Sequence, residues 1–91
     1  MNRYMVVATF RVGADMNEVF AVAADEVARV EALRADGRMG AVYLALARGK
    51  VFIEVNATDA TDVEVIIESL PMAKWWELDI YPVTAPPAPV K

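Results

Sequence analysis

Apolar residues in the first half of the chain follow two different spacings. Residues 4–12 are rich in β-branched and aromatic side chains, which predicts a first strand. Apolar residues then recur at helical spacing over residues 15–36, and Gly37 follows as a C-terminal cap. Asp15 and Glu18 have the spacing of a capping box at the start of this helix. The first half therefore predicts a strand followed by one continuous helix.

The second half predicts a hairpin, a helix and a last strand. Residues 38–48 and 51–56 are two strand-like runs, and the link between them is so short that they must pair antiparallel. A second capping box opens a helix at Thr61, and Pro71 ends it. Residues 75–83 are again rich in aromatic and aliphatic side chains. They predict the fourth strand.

The resulting order, βαββαβ, is that of a ferredoxin-like α+β fold. Such a chain forms a four-stranded antiparallel sheet with two helices on one face. We expect one domain over residues 1–84, because 91 residues are too few for two independent cores. Residues 85–91 form a Pro-rich tail, which we expect either to be disordered or to lie across a neighbouring subunit.

Both faces of the predicted sheet are apolar near its centre. On the first strand, Val6 and Ala8 point one way while Met5 and Val7 point the other. On the second strand, strict alternation places Val42, Leu44 and Leu46 on one face of the sheet. The opposite face then carries Met39, Ala41, Tyr43, Ala45 and Ala47. The two helices can cover only one face, so the other needs a partner. We expect a homodimer or larger homo-oligomer, with two sheets packed face to face as a dimeric α+β barrel; packing on a different protein is the alternative.

Composition and charge narrow the function. Hydrophobic residues make up 57% of the chain, more than the ~45–50% usual in globular proteins. The net charge of −4 and the absence of a basic stripe argue against nucleic-acid or anionic-membrane partners. The chain has no Cys and no His, which excludes a disulfide framework, a thiolate nucleophile and a zinc cluster. No segment has the pattern of a targeting or spanning element, so we expect a cytoplasmic protein.

Glu26 is the carboxylate with the strongest case for a chemical role. On the predicted helix it lies between Val19, Val30 and Leu33, at the flank of the apolar stripe. Burial there would raise its pKa and suit it to general acid–base catalysis. The alternative is an ordinary rim residue whose head reaches water. Its neighbour Asp25 falls on the opposite side and is expected to be solvated.

Other side chains could contribute to a small-molecule site, and each also has a purely structural explanation. Aromatic residues could line a pocket for a flat ligand, although most aromatic residues in small domains belong to the core. A lone acid on a strand is usually solvated, and arginines at strand ends usually are too. The predicted ligand-binding residues are Tyr4, Arg38, Tyr43, Glu54, Trp75 and Trp76. Arg11, Arg48 and the pair Glu77 and Asp79 are weaker candidates for binding an anion or a cation.

Several short motifs stand in a fixed order along the chain. They are Asp15-Met16 after an aromatic-led strand, Ala24-Asp25-Glu26 within the first helix, and the closing Gly37. Leu70-Pro71 then precedes the final strand, which begins WWELDI. Over roughly residues 4–83, these motifs together resemble the muconolactone Δ-isomerase family of the dimeric α+β barrel superfamily.

The resemblance implies a cofactor-free enzyme that moves a proton on an unsaturated lactone and assembles from dimers into larger rings. It also implies a pocket between sheet and helices, with Glu26 as the proton-shuttling residue. This chain departs from the family pattern at Met5, where the family has a His, and over residues 38–43, where only Arg38 is charged. Three functions therefore remain open: an isomerase using Glu26, a non-catalytic ligand-binding or auxiliary protein, and an assembly module without a pocket.

Overall fold

The computed structural model of the chain describes residues 1–84 and has the predicted order of strands and helices. The predicted tail, residues 85–91, lies outside the described residues. The elements are β1 (Asn2–Phe10), α1 (Met16–Ala21), α2 (Ala23–Ala35), β2 (Met39–Ala45), a 3₁₀ turn (Leu46–Arg48), β3 (Lys50–Ala57), α3 (Ala60–Glu68), a second 3₁₀ turn (Ala73–Trp75) and β4 (Trp76–Pro82). None of the helices within residues 1–84 is long and apolar enough to cross a membrane.

The four strands form one antiparallel sheet in the order β2-β3-β1-β4. This confirms the ferredoxin-like α+β fold. The central strand β1 pairs with β3 on one side and β4 on the other, so that Val6 lies opposite Ile53 and Ile80. Alternate residues of β1 and β3 point toward the helices, because a strand turns successive side chains to opposite faces.

The core lies between that face and the helices, and the helices contribute to it unequally. On α3, Val63, Ile66 and Ile67 are all buried. The longer α2 buries only Leu33, and α1 buries only Val19. The α1–α2 side of the sheet is therefore packed less closely than the α3 side, and this difference leaves room for a pocket.

The predicted first helix is two helices. Val22 leaves helical geometry at φ −103° and ψ 10°, and its N–H donates to Val19 O at 3.2 Å, which tightens the last turn of α1. No Gly or Pro marks this position, so helical periodicity alone predicted a continuous helix. At the N-terminus the Asp15 carboxylate accepts from Asn17 N rather than forming the predicted box with Glu18.

The second predicted helix corresponds to α3, which begins earlier than predicted. Its N-cap residue is Asp59 instead of Thr61. Asp59 Oδ1 accepts from Asp62 N at 2.8 Å, and Asp62 Oδ2 accepts from Thr58 N at 3.1 Å. The Asp59 carboxylate thus satisfies a backbone donor of the first turn that has no partner within the helix, and the Asp62 carboxylate accepts from the residue that precedes the cap. The predicted cap, Thr61, was wrong because several adjacent residues of this segment have side chains that can cap a helix.

A bulge in β2 places Met39 on the opposite face from the one predicted, while Val42, Tyr43 and Leu44 alternate as predicted. Met39 pairs with Val55 and Val42 pairs with Ile53, so that two residues of β2, Gly40 and Ala41, lie opposite the single residue Glu54 of β3. Met39 therefore shares the helix-facing side with Val42, whereas strict alternation had placed it with Tyr43. Within the bulge, a Cβ at Gly40 would collide with the carboxylate of Glu54. The strand also stops at Ala45, short of the predicted residue 48.

Candidate functional site

A cavity of about 400 Å³ lies between the sheet and the helix pair α1–α2. Its volume falls within the range of small-molecule sites. The helices contribute one apolar wall, the sheet contributes another, and the segment after α3 closes one side. Lining residues include Val19, Phe20, Val27 and Val30 from the helices, Phe10, Met39, Val42, Ile53 and Trp76 from the sheet, and Leu70 and Met72.

Glu26 contributes a carboxylate to this apolar lining. It lies in the first turn of α2, and its Oε1 accepts a hydrogen bond from Met72 N at 2.9 Å. The two residues are 46 positions apart, so this bond ties α2 to the segment that leads into β4. Burial raises the pKa of Glu26 above its ordinary value of 4.5, and the Met72 N–H partly opposes that rise. The half-buried group is therefore easier to protonate than a solvated glutamate.

The neighbouring acid Asp25 is exposed, as helical geometry predicted. Arg29, one turn further along α2, donates from Nε to Ser69 Oγ at 3.1 Å rather than pairing with Asp25. Ser69 is the C-cap residue of α3, so this contact also links α2 to α3. The partner of Arg29 is therefore set by the packing of α2 against α3. It cannot be read from the i,i+4 spacing within α2.

A second carboxylate at the cavity, Glu31, was not identified from the sequence. Its side chain is 67% exposed and lies 4.0 Å from Arg34, so it belongs to the rim rather than the interior. A signal was present, because Glu31 is one turn beyond Val27 on the same helical stripe. Because the Glu31 side chain is charged, the hydrophobic pattern assigns it to the solvated face of the helix and not to the apolar stripe.

Trp76 lies on the sheet side of the cavity and is 3% exposed. Its ring meets that of Phe10 edge to face, with centroids 6.0 Å apart. The indole Nε1 is buried, and no residue of the described chain accepts a hydrogen bond from it. Burying such a donor without a partner costs about 1–3 kcal/mol, so unpaired buried donors are rare.

The mouth of the cavity is apolar and exposed. Phe20 on α1, Val27 on α2 and Leu44 on β2 line the cavity, and each is more than half exposed. Leu46 in the 3₁₀ turn extends this rim. A ligand entering here meets hydrocarbon before it meets the carboxylate of Glu26.

Two of the predicted ligand-binding residues lie on the other side of the sheet. Tyr43 pairs with Phe52 and Glu54 pairs with Met5, and these positions point away from the helices. Neither Tyr43 nor Glu54 lines the cavity.

Three more predicted residues are also apart from the cavity. Tyr4 belongs to the buried core, and Trp75 lies in the 3₁₀ turn before β4 with Lys74 Nζ 4.5 Å from its ring centroid. Arg38 Nε lies 3.4 Å from Asp36 Oδ2 at the surface. Of the seven site residues predicted from the sequence, the cavity brings together Glu26 and Trp76.

The weaker candidates for ion binding do not line the cavity either. Arg11 lies 3.8 Å from Glu77, and both side chains are more than half exposed. Arg48 is in the 3₁₀ turn next to the rim, and Asp79 pairs with Val7 in the sheet. Within residues 1–84, no three His, Cys, Asp or Glu side chains come close enough together to hold a metal ion.

Fold and cavity together define the class: a ferredoxin-like α+β protein with an apolar pocket between its sheet and one helix pair, and a half-buried glutamate in that pocket. The sequence model of the muconolactone delta-isomerase family matches residues 3–88, which is most of the chain. The chain belongs to this family. No curated protein sequence matches it.

Proposed function

We propose that this protein is a cofactor-free isomerase that moves a proton between two carbons of a small unsaturated lactone, with Glu26 as the shuttling group. One observation carries the proposal: a glutamate lies in an apolar cavity, and burial raises its pKa. A general base works best when its pKa is near the working pH. Membership of the muconolactone delta-isomerase family supports the reaction type.

The reaction needs no group beyond one carboxylate. Ionised Glu26 removes a proton from a carbon whose C–H bond is acidified by the conjugated carbonyl, and the electron pair is delocalised onto the carbonyl oxygen. The Glu26 carboxylic acid then returns the same proton to another carbon of the conjugated system. The double bond has moved, no atom is gained or lost, and Glu26 is again ionised. The hydrogen bond from Met72 N to Oε1 holds the carboxylate in place through both steps.

Replacement of Glu26 by Gln tests this role. Gln retains an oxygen for Met72 N but cannot shuttle a proton, so turnover of the lactone should fall by about 10²–10⁴-fold while ligand binding persists. The matched control is Glu31→Gln, which alters an exposed carboxylate of the same cavity. Full turnover by Glu26→Gln would remove this residue from the mechanism.

A non-catalytic binding role is the second candidate. It is favoured by one observation: the lining of the cavity is apolar apart from Glu26 and the exposed Glu31, and apolar contacts alone are enough to hold a small organic molecule there. Saturable binding of lactones by the unaltered protein without any turnover would establish this role and contradict the isomerase.

We also propose that the sheet face away from the helices is covered by a second copy of the chain. Across this face, Phe52 pairs with Tyr43 on one side and Val7 on the other, and Val7 pairs in turn with Asp79. Tyr43 is 64% exposed in the single chain, and the aromatic and apolar part of this row, Tyr43, Phe52 and Val7, favours a sheet-to-sheet dimer.

Light scattering coupled to size exclusion tests the assembly. We expect a dimer or larger species for the unaltered protein and dissociation for Phe52→Lys. Val65→Lys is the matched control, because Val65 is exposed on α3, away from the sheet. A stable monomer of the unaltered protein at micromolar concentration would contradict the proposal.

A further inference from the structure

The charged groups of the cavity all have the same sign. Among the described residues that line it, the ionisable side chains are Glu26 and Glu31, and neither Lys nor Arg is present. A carboxylate ligand bound there would be removed from water without a cationic partner. Its charge would also lie close to that of Glu26 whenever this residue is ionised, as it must be to accept a proton.

The arginines of α2 do not change this balance. Arg29 Nε donates to Ser69 Oγ, and Arg34 lies at the surface beside Glu31. Neither arginine is part of the cavity lining. The described cavity therefore selects against anions.

The indole of Trp76 indicates what the ligand does carry. An indole N–H is a donor only, so its partner must be an acceptor such as a carbonyl oxygen. Nε1 is buried and has no acceptor within the described residues. A ligand oxygen reaches it only when the side chains around the indole shift, and such a contact would satisfy a donor that is otherwise buried unpaired.

We propose that the cavity binds an uncharged carbonyl compound, such as a neutral lactone or ester, and not an organic anion, and that Trp76 Nε1 donates a hydrogen bond to its carbonyl oxygen. This inference rests on the site proposed above, but it concerns binding and holds with or without turnover. It separates this chain from an isomerase that takes a lactone bearing a free carboxylate.

Muconolactone and its methyl ester are the matched probes, because they share the lactone ring and differ in the charge of one group. Titration calorimetry with the full-length protein near neutral pH should give a Kd for the ester about a hundredfold lower than that for the free acid. Equal or tighter binding of the free acid would overturn the proposal, and so would failure of both compounds to bind. Binding of the ester without turnover would sustain this inference while contradicting the isomerase.

The hydrogen bond is tested separately by NMR. The chain has two tryptophans, so Trp75→Phe leaves one indole N–H resonance, that of Trp76. Addition of the ester should shift this resonance downfield, and Trp76→Phe should weaken ester binding about fivefold relative to Trp75→Phe. An unshifted resonance with ester bound would refute the assigned role of Trp76.

Discussion

Glu26→Gln should change how the stability of the protein depends on pH. In the unaltered chain, burial raises the pKa of Glu26 from 4.5, so folding favours the protonated form. Gln resembles that protonated form in size, keeps an oxygen for the N–H of Met72, and does not titrate. The variant therefore removes the contribution of Glu26 titration to the free energy of unfolding, while leaving the packing of α2 nearly unchanged.

The sign follows from proton linkage. Below pH 4.5, Glu26 is protonated in the folded and unfolded chain alike and carries no penalty. As pH rises from there through the raised folded-state pKa, the folded chain binds more protons than the unfolded chain, so the free energy of unfolding falls. One proton sets an upper limit of about 1.4 kcal/mol per pH unit, and solvent contact at this half-buried site lowers the observed slope. The free energy of unfolding of Glu26→Gln, relative to that of the unaltered protein, should thus increase with pH and then level off.

Urea denaturation between about pH 4 and about pH 8 measures this effect, because the difference between variant and unaltered protein cancels the titration of all other groups. Glu31→Gln serves as the control, because it makes the same chemical change at a largely exposed carboxylate of the cavity rim. If the difference caused by Glu26→Gln is independent of pH, burial does not perturb this carboxylate and the reasoning fails.

Three further substitutions test how the fold supports the site. Gly40→Ala should cost about 1 kcal/mol, because the added methyl displaces the Glu54 carboxylate from its rotamer, and the cost should shrink in a Glu54→Ala background; equal costs in both backgrounds would contradict the collision. Asp59→Ala should lower stability by about 1 kcal/mol in thermal unfolding through loss of its bond to Asp62 N, whereas Thr61→Ala, at the predicted cap, should cost less. Ile67→Ala in the fully buried core should cost about 2–5 kcal/mol in urea denaturation, and a loss below 1 kcal/mol would mean that α3 does not pack as described.

Much of the candidate site depends on contacts between distant parts of the chain. Helical geometry alone placed Glu26 at the flank of the apolar stripe, since three-residue and four-residue spacings fix which side chains share a helix face. The bond from Met72 N, 46 residues away, had no sequence signal. The same is true of the choice between Trp75 and Trp76. The strand begins at Trp76, and its pairing with Phe10 turns that indole toward the helices.

By itself, the sequence determined the order of strands and helices, because the hydrophobic period is a local property of each segment. It also determined the excess of apolar surface and the lack of Cys and His, since no fold supplies a missing side chain. Only the tertiary structure decided the break at Val22, the bulge that turns Met39 toward the helices, and the pocket beside Glu26. Strand register and the space between helices and sheet are set by contacts between segments that are distant along the chain. The hydrophobic pattern of any one segment does not contain those contacts.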